Sequence, residues 1–339
     1  MITITKKLGY LYSKPNQLVQ AYRDNRQIKQ ASKQFVDLPE LHNPFFMIGV
    51  TGALHIMELS LRYVPTNVEL VLVLNGMEKW EQEWAKQHFT TKAVIIIDSN
   101  QALAHGKVLD MLFDCYSKPF GILDYDCFVF NPTCFTKIQS ISSPFLLNAL
   151  FESKKLNLRI PQTYFLFFNS PIINLLKSKY HINSQIIDFQ SKLSSKVVHQ
   201  LAKIGIDKDH YPEPHKTYFD VLRLLICMGY SEGFVCNFLD EFPTGPIPDS
   251  AAFHVGGVAN PRYFESWYSM RGTYFWRRAL EENEHQELKR NYQEKFGFKK
   301  ADEVYENSPD WKEKTGQQFF DFIESLVLQK SPPFNYSGR

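Results

Sequence analysis

Five cysteines in 339 residues, none spaced C-x-x-C, are too few and too scattered for a disulfide framework or a zinc site. They read as reduced core thiols. Excess charge is also missing: 38 Lys and Arg against 36 Asp and Glu leave +2, which removes the basic field a nucleic-acid binder relies on. Met1–Gly9 holds no apolar block of signal-peptide length. The most apolar stretches, such as Val221–Met228 with its Arg223, fall well short of the roughly 20 residues that span a bilayer. These absences predict a cytoplasmic protein with no nucleic-acid partner and no transmembrane segment, with peripheral membrane contact left open. The chain has no internal repeat and no low-complexity run. It also lacks G-x-G-x-x-G after its first strand, where Thr51-Gly-Ala-Leu-His55 stands instead, which argues against a nicotinamide-binding Rossmann enzyme.

What is present is apolar and patterned. Hydrophobic residues make up 44% of the chain and aromatics 15%, enough for a sizeable core. Short aliphatic runs at Phe45–Val50, Val68–Leu74 and Ala93–Ile97 alternate with helical patterns at His55–Tyr63, Glu78–Phe89 and Gln101–Tyr116. Near-continuous strands between helices indicate a mostly parallel sheet covered on both faces, an α/β fold. Thr163–Asn169 adds a further strand. Residues 1–43 read as an N-terminal helical extension (helix Asn16–Val36), 44–262 as the catalytic domain, and 263–339 as a C-terminal helical extension. That last part holds a charged helix Trp276–Phe296, stopped at Gly297, and an amphipathic helix opening at Ser308-Pro309 with Phe319, Phe322, Ile323 and Leu326 on one face. Ligands of such sheets bind beyond the carboxyl ends of the strands. Thr51, Asn75 and Asp98 occupy those ends and are candidates for base and ribose contacts, although each could instead cap the next helix.

The most informative stretch is Pro119-Phe-Gly-Ile-Leu-Asp124-Tyr-Asp126-Cys-Phe-Val-Phe130. On a strand, residues two apart share a side, so Asp124 and Asp126 are expected to face one point, roughly 6–7 Å apart along the backbone. Such a pair repels unless a cation or a shared proton relieves it. The expectation is a divalent metal that carries a diphosphate. An aspartyl-nucleophile phosphatase also has D-x-D, but on its first strand and followed by Thr, whereas Cys127-Phe128 follows here.

With Ala104-His-Gly106-x-x-x-Asp110, Leu123-Asp-Tyr-Asp126 and His254-Val-Gly-Gly257, residues 44 to 262 resemble nucleotide-sugar-dependent glycosyltransferases of the GT-A fold (D-x-D type). The resemblance implies that Asp126 ligates Mn²⁺ or Mg²⁺ and that Asp124 contacts the ribose or a metal-bound water, so that it belongs to the metal site. It also implies that His254 returns to the metal, with Gly256 and Gly257 letting the backbone approach the phosphates. An oxygen and nitrogen ligand set suits Mn²⁺ at least as well as Mg²⁺. His105, Gly106 and Lys107 open a helix, where free amides favour a nucleotide phosphate. Asn260 and Arg262 are weaker candidates for the diphosphate or sugar.

Asp220 has the chain position of the carboxylate that deprotonates the acceptor in inverting enzymes of that fold. An acid at a helix start also arises for dipole reasons alone, which is the simpler reading, so inversion and retention both stay open. Asn169-Ser170 falls where acceptor-facing residues tend to lie. Arg271, Arg277 and Arg278, among Tyr274, Phe275 and Trp276, read as the solvated edge of a helix with its aromatics inward.

The expected function is metal-dependent hexosyl-type transfer from a nucleotide-sugar donor, UDP-sugars favoured, to an acceptor hydroxyl. The alternatives are a catalytically silent nucleotide-sugar-binding module and a sugar-nucleotide nucleotidyltransferase, whose glycine-rich basic loop is not found. The flanking helices are candidates for the acceptor pocket, for homodimerisation or for a membrane surface.

Overall fold

The computed structural model describes residues 19–155, 158–189, 193–212, 217–258, 267–297, 300, 301, 303 and 316–328. Three apolar runs become β1 (Phe45–Val50), β2 (Leu70–Asn75) and β3 (Ala93–Ile97), followed by β4 (Phe120–Leu123) and β5 (Cys127–Val129). Next come β6 (Phe145–Ala149), the hairpin β7 (Glu152–Lys155) and β8 (Leu158–Pro161), and β9 (Phe165–Phe168). A short pair, β10 (Ile187–Asp188) and β11 (Tyr218–Phe219), precedes β12 (Val235–Phe238) and β13 (Ala252–His254).

Seven strands form one sheet in the order β12-β6-β9-β4-β1-β2-β3. Its pairings are parallel except at β9, which runs antiparallel to both β4 and β6. The mostly parallel α/β sheet flanked by helices is therefore the fold that the sequence indicates.

Both faces of the sheet are buried, and side-chain alternation divides the strands between two cores. Phe45 and Met47 of β1, with Leu72 and Leu74 of β2, point to one core, and Phe46, Ile48, Val71 and Val73 point to the other. The first core also takes in Phe275, Trp276, Leu288, Tyr292, Phe319 and Ile323 from the C-terminal helices. The second takes in Ala31 and Leu41 from the N-terminal side. Tyr292, Glu81 and the turn after β1 form one buried junction. The Glu81 carboxylate accepts from Gly52 N–H at 2.7 Å, Glu78 N–H at 2.9 Å and the Tyr292 hydroxyl at 2.7 Å.

Several elements differ from their sequence-based outlines. Asp124-Tyr125-Asp126 is not strand. β4 ends at Leu123, and a tight turn, closed by Cys127 N–H to Asp124 O at 2.9 Å, leads into β5. Of the two starts read from the sequence, Gln101 and His105, the helix takes His105, because the buried Asn75 amide holds Leu103 by both its N–H and its carbonyl, each at 2.9 Å. The expected helix Trp276–Phe296 is two helices, Trp267–Glu282 and Gln286–Phe296. The break falls where Asn283 Oδ1 accepts His285 N–H at 2.9 Å while the Asn283 amide donates to Glu58 at 2.8 Å. Of the N-terminal helix, residues 19–33 are described, followed by a 3-10 turn Gln34–Asp37. The Ser308-Pro309 start of the last helix lies outside the described residues, and the helix is seen as Gln317–Leu328. None of the five cysteines is in a disulfide. Among the described residues, no helix is long and apolar enough to cross a membrane.

Candidate active site

The turn after β4 sets Asp124 and Asp126 at the carboxyl edge of the sheet. β13 lies antiparallel to β5 with His254 opposite Cys127, so strand pairing carries the imidazole to the aspartates across more than 120 residues of chain. His254 Nε2 stands 3.2 Å from Asp126 Oδ1 and 4.0 Å from Asp124 Oδ2. One ligand atom from each of the three residues lies within 4.8 Å of the others. The convergence expected of the two acids is present, although it comes from a turn and not from strand alternation.

Each group is held. The Asp126 carbonyl accepts Val255 N–H at 3.1 Å, and its Oδ2 accepts Gly256 N–H at 3.2 Å. Asp124 N–H donates to Tyr164 O at 2.8 Å, and the Tyr164 ring stacks on His254 with centroids 3.4 Å apart and planes 12° apart. Burial, then the negative charge of Asp126, pushes the Asp124 carboxyl well above the usual carboxylate range. Burial also works against the Asp126 carboxylate, but the His254 imidazole and the Gly256 amide outweigh it and hold Asp126 below its ordinary value. One acid is thus stabilised as an anion, and its neighbour is left short of positive charge. Two oxygens and one imidazole nitrogen, close together and with a charge deficit, fit a divalent cation, Mn²⁺ at least as well as Mg²⁺.

The other candidates separate into those that line this site and those occupied elsewhere. A cavity of about 290 Å³ is lined by Asp124, Asp126 and His254 together with Asn75, His105, Gly256 and Gly257. Asn75 spends both ends of its amide on Leu103, so it shapes the wall. Burial lowers the pKa of His105 to about 4, with nearby Asp220 opposing, so the imidazole is neutral at pH 7. Gly256 and Gly257 both adopt φ of +72°. Gly257 is pressed against the helix Trp267–Glu282, where a Cβ on Gly272 would lie 2.2 Å from its carbonyl carbon.

Thr51 and Asp98 line a neighbouring cavity of about 650 Å³, which shares Val50 with the first. The Thr51 hydroxyl donates to Gly76 O at 2.7 Å, and Asp98 is exposed. Lys107 is turned to Asp24 at 2.5 Å. At Gly106 the missing Cβ admits the backbone of Gln185, whose Cα such an atom would meet at 2.7 Å. Asp220 precedes the helix Arg223–Ser231, and its Oδ1 accepts Val221 N–H at 2.8 Å.

Asn169 donates to Phe145 O at 3.2 Å, and Ser170 is buried. Tyr274, Phe275 and Trp276 pack inward, while Arg278 pairs with Glu324 and Glu282 and Arg271 holds the Val255 carbonyl. Asn260 and Arg262 lie outside the described residues. Tyr164 and Phe296 are wall residues that sequence reasoning did not single out. Tyr164 falls within the strand Thr163–Asn169 that was read for its apolar run, just ahead of the observed β9, and Phe296 marked only the end of a helix.

The likeness to nucleotide-sugar glycosyltransferases read from the sequence is found again in comparison with known proteins. Residues 21–173 match the family described as the StrH glycosyltransferase N-terminal domain. A curated relative, the dTDP-dihydrostreptose–streptidine-6-phosphate dihydrostreptosyltransferase of Streptomyces griseus, is 27% identical over 118 residues. That match covers 34% of this chain and 30% of the relative's length. Among solved structures, the apo-form glycosyltransferase GlyE of Streptococcus pneumoniae TIGR4 is 11% identical, covering 75% of this chain and 64% of that one, with a TM-score of 0.40. S. aureus TarS 1-349 is 12% identical, covering 84% and 81%, with a TM-score of 0.30.

Proposed function

We propose that this chain is a glycosyltransferase that moves a sugar from a nucleoside-diphosphate donor to an acceptor hydroxyl, using a divalent cation held by Asp124, Asp126 and His254. The observation that carries this reading is the convergence of those three ligands within 4.8 Å at the carboxyl edge of a mostly parallel sheet. The family match over residues 21–173 supports the reaction class. The relative's name includes a dTDP-sugar, so dTDP-sugars join the UDP-sugars favoured from the sequence as first donors to test.

When bound, the cation would neutralise charge on the leaving nucleoside diphosphate. The remaining work falls to the chain. Asp126, fixed by Gly256 N–H and the His254 imidazole, presents an oxygen in one orientation, and Tyr164 fixes the plane of His254. Asn75 holds the Leu103 segment as a wall of the smaller cavity. Asp220, close enough to His105 to perturb it, is our candidate for accepting the acceptor's proton.

The test combines thermal shift and donor hydrolysis across UDP-, dTDP- and GDP-sugars, with and without Mn²⁺. We expect Mn²⁺-dependent stabilisation by one nucleotide class, lost in Asp126→Ala. Undiminished turnover by Asp126→Ala, or turnover indifferent to chelator, would reject the reading.

A further inference from the structure

The larger cavity has two unlike walls. One is made by the strand ends at Thr51, Gly76 and Asp98, and the other by Lys295 and Phe296, the last residues of the helix Gln286–Phe296. The Phe296 ring is held from several directions. A Cβ on Gly52 would come within 2.9 Å of it, so the turn after β1 is shaped around the ring. Trp276 and Tyr292 pack on it with centroids 5.3 and 5.8 Å away. Its backbone is clamped as well, since buried Arg277 donates to the Phe296 carbonyl at 3.2 Å and to that of Gly297. The ring is only half-buried, and it lines the cavity.

The charged side chains lining this cavity are balanced, with no excess of cations to collect a diphosphate. Lys295 is paired with Glu78 at 2.5 Å, and Lys79 and Asp98 are both exposed. An aromatic side chain that shares a cavity lining with strand-end polar groups suits a heteroaromatic ring, which can stack on the one and hydrogen-bond at its edge to the others. The metal-ligand cavity adjoins at Val50. A ligand with a planar base at one end and a diphosphate at the other matches the two cavities in one direction only.

Building on the donor reading above, we propose that Phe296 is the platform on which the donor's nucleobase stacks, so that the C-terminal helix, far outside the family-matched segment, completes the nucleotide site. The residue is a binding residue for the base and leaves the diphosphate untouched.

The experiment measures, by calorimetry on the full chain with Mn²⁺, the affinities of UDP, dTDP, GDP and inorganic pyrophosphate for wild type, Phe296→Leu and Phe296→Tyr. We expect Phe296→Leu to weaken the preferred nucleoside diphosphate about tenfold, as for loss of one base stack. Pyrophosphate should bind as before, and Phe296→Tyr should retain nucleotide affinity. Equal losses for nucleotide and pyrophosphate would make Phe296 a packing residue and overturn the proposal, and so would unchanged nucleotide affinity in Phe296→Leu. If wild type binds none of the three nucleotides with Mn²⁺, the donor reading itself falls and the platform with it. That outcome shows already in the unmutated protein and is therefore distinct.

Discussion

Asp124 and Asp126 are chemically identical and two residues apart, yet their replacement by asparagine should move the metal-free protein in opposite directions. With ligand atoms within 4.8 Å, two like charges at an effective dielectric constant near 20 repel by about 3–4 kcal/mol. The chain meets that repulsion unequally. Asp126 has the Gly256 amide and His254, whereas His254 reaches Asp124 only at 4.0 Å, and the Asp124 carboxyl is pushed up by burial and by Asp126.

Asp124→Asn should therefore stabilise the metal-free protein at pH 7.5, by about 1–2 kcal/mol once partial protonation and solvent screening are allowed for. Asp126→Asn should destabilise it by about the same amount, because an anion bonded to an amide and an imidazole is lost. The sign against pH follows. A carboxyl whose folded pKa is raised takes up its proton more readily folded than unfolded, so lowering the pH relieves the wild type and the advantage of Asp124→Asn shrinks. Urea denaturation in chelator at pH 7.5 and pH 5.5 measures both effects. Saturating Mn²⁺ should reverse the ranking, adding about 2.7 kcal/mol to the wild type at a hundredfold excess over Kd and much less to either variant. If Asp124→Asn loses as much metal-free stability as Asp126→Asn, the charge-deficit argument is wrong.

Other consequences are as direct. His55 is fully buried, its Nε2–H donating to Trp276 O at 3.0 Å beside the rings of Trp276 and Tyr292, and burial chiefly lowers its pKa to about 3, with the nearby Arg277 cation adding to that. Folded-state protonation is therefore resisted, and stability should be whole above pH 6.5, fall by about 2 kcal/mol at pH 5 and keep falling towards pH 3. His55→Gln should flatten that slope in acid denaturation, and an unchanged slope would refute the assignment. Gly272→Ala, ordinarily favourable in a helix, should here displace Gly257 and with it the Gly256 amide that holds Asp126, and weaken Mn²⁺ binding about tenfold or more, read by calorimetry. Ending the chain at residue 262 removes Phe275, Trp276, Leu288, Tyr292, Phe319 and Ile323 from the first core. At about 1.5–3 kcal/mol each, this loss is on the order of 10 kcal/mol, the whole stability of a typical domain. The shortened protein should show no cooperative melt, and a sharp melt at the wild-type temperature would contradict the packing argument.

How far the sequence could be read depends on the range of the forces involved. Strands such as Ala93–Ile97 were legible because burial on both faces writes a continuous aliphatic run, and the parallel sheet followed from their alternation with helices. β12 and β13 were not, since Val235-Cys-Asn-Phe238 and Ala252-Phe-His254 are short and become strands only by pairing with β6 and β5. The aspartates were legible as a pair, but the turn that aims them was not. The loop before His105 has helical composition, and a single buried amide from β2 holds it out of the helix. His254 was placed by resemblance. Its stacking partner Tyr164 carries no local mark, because contact between residues ninety positions apart depends on register across two strand pairs.

The location of Asp124, Asp126 and His254 also explains why the matched segment alone is an incomplete account of the candidate site. Residues 21–173 include both aspartates and Tyr164, but not His254, Gly256, Asp220 or Phe296. The first part of the chain therefore sets up a charge deficit that it does not relieve. The second part brings an imidazole and an amide to Asp126 through β13, and from the same direction the helix Gln286–Phe296 closes the cavity beside β1. The Glu81–Tyr292 hydrogen bond and the Trp276 indole N–H to Gly52 O at 2.7 Å lock that closure to the turn after β1. Any movement of the C-terminal helices must then shift the wall of the larger cavity. Coupling between the proposed nucleotide binding and global stability follows from this geometry, because the same buried contacts would serve both.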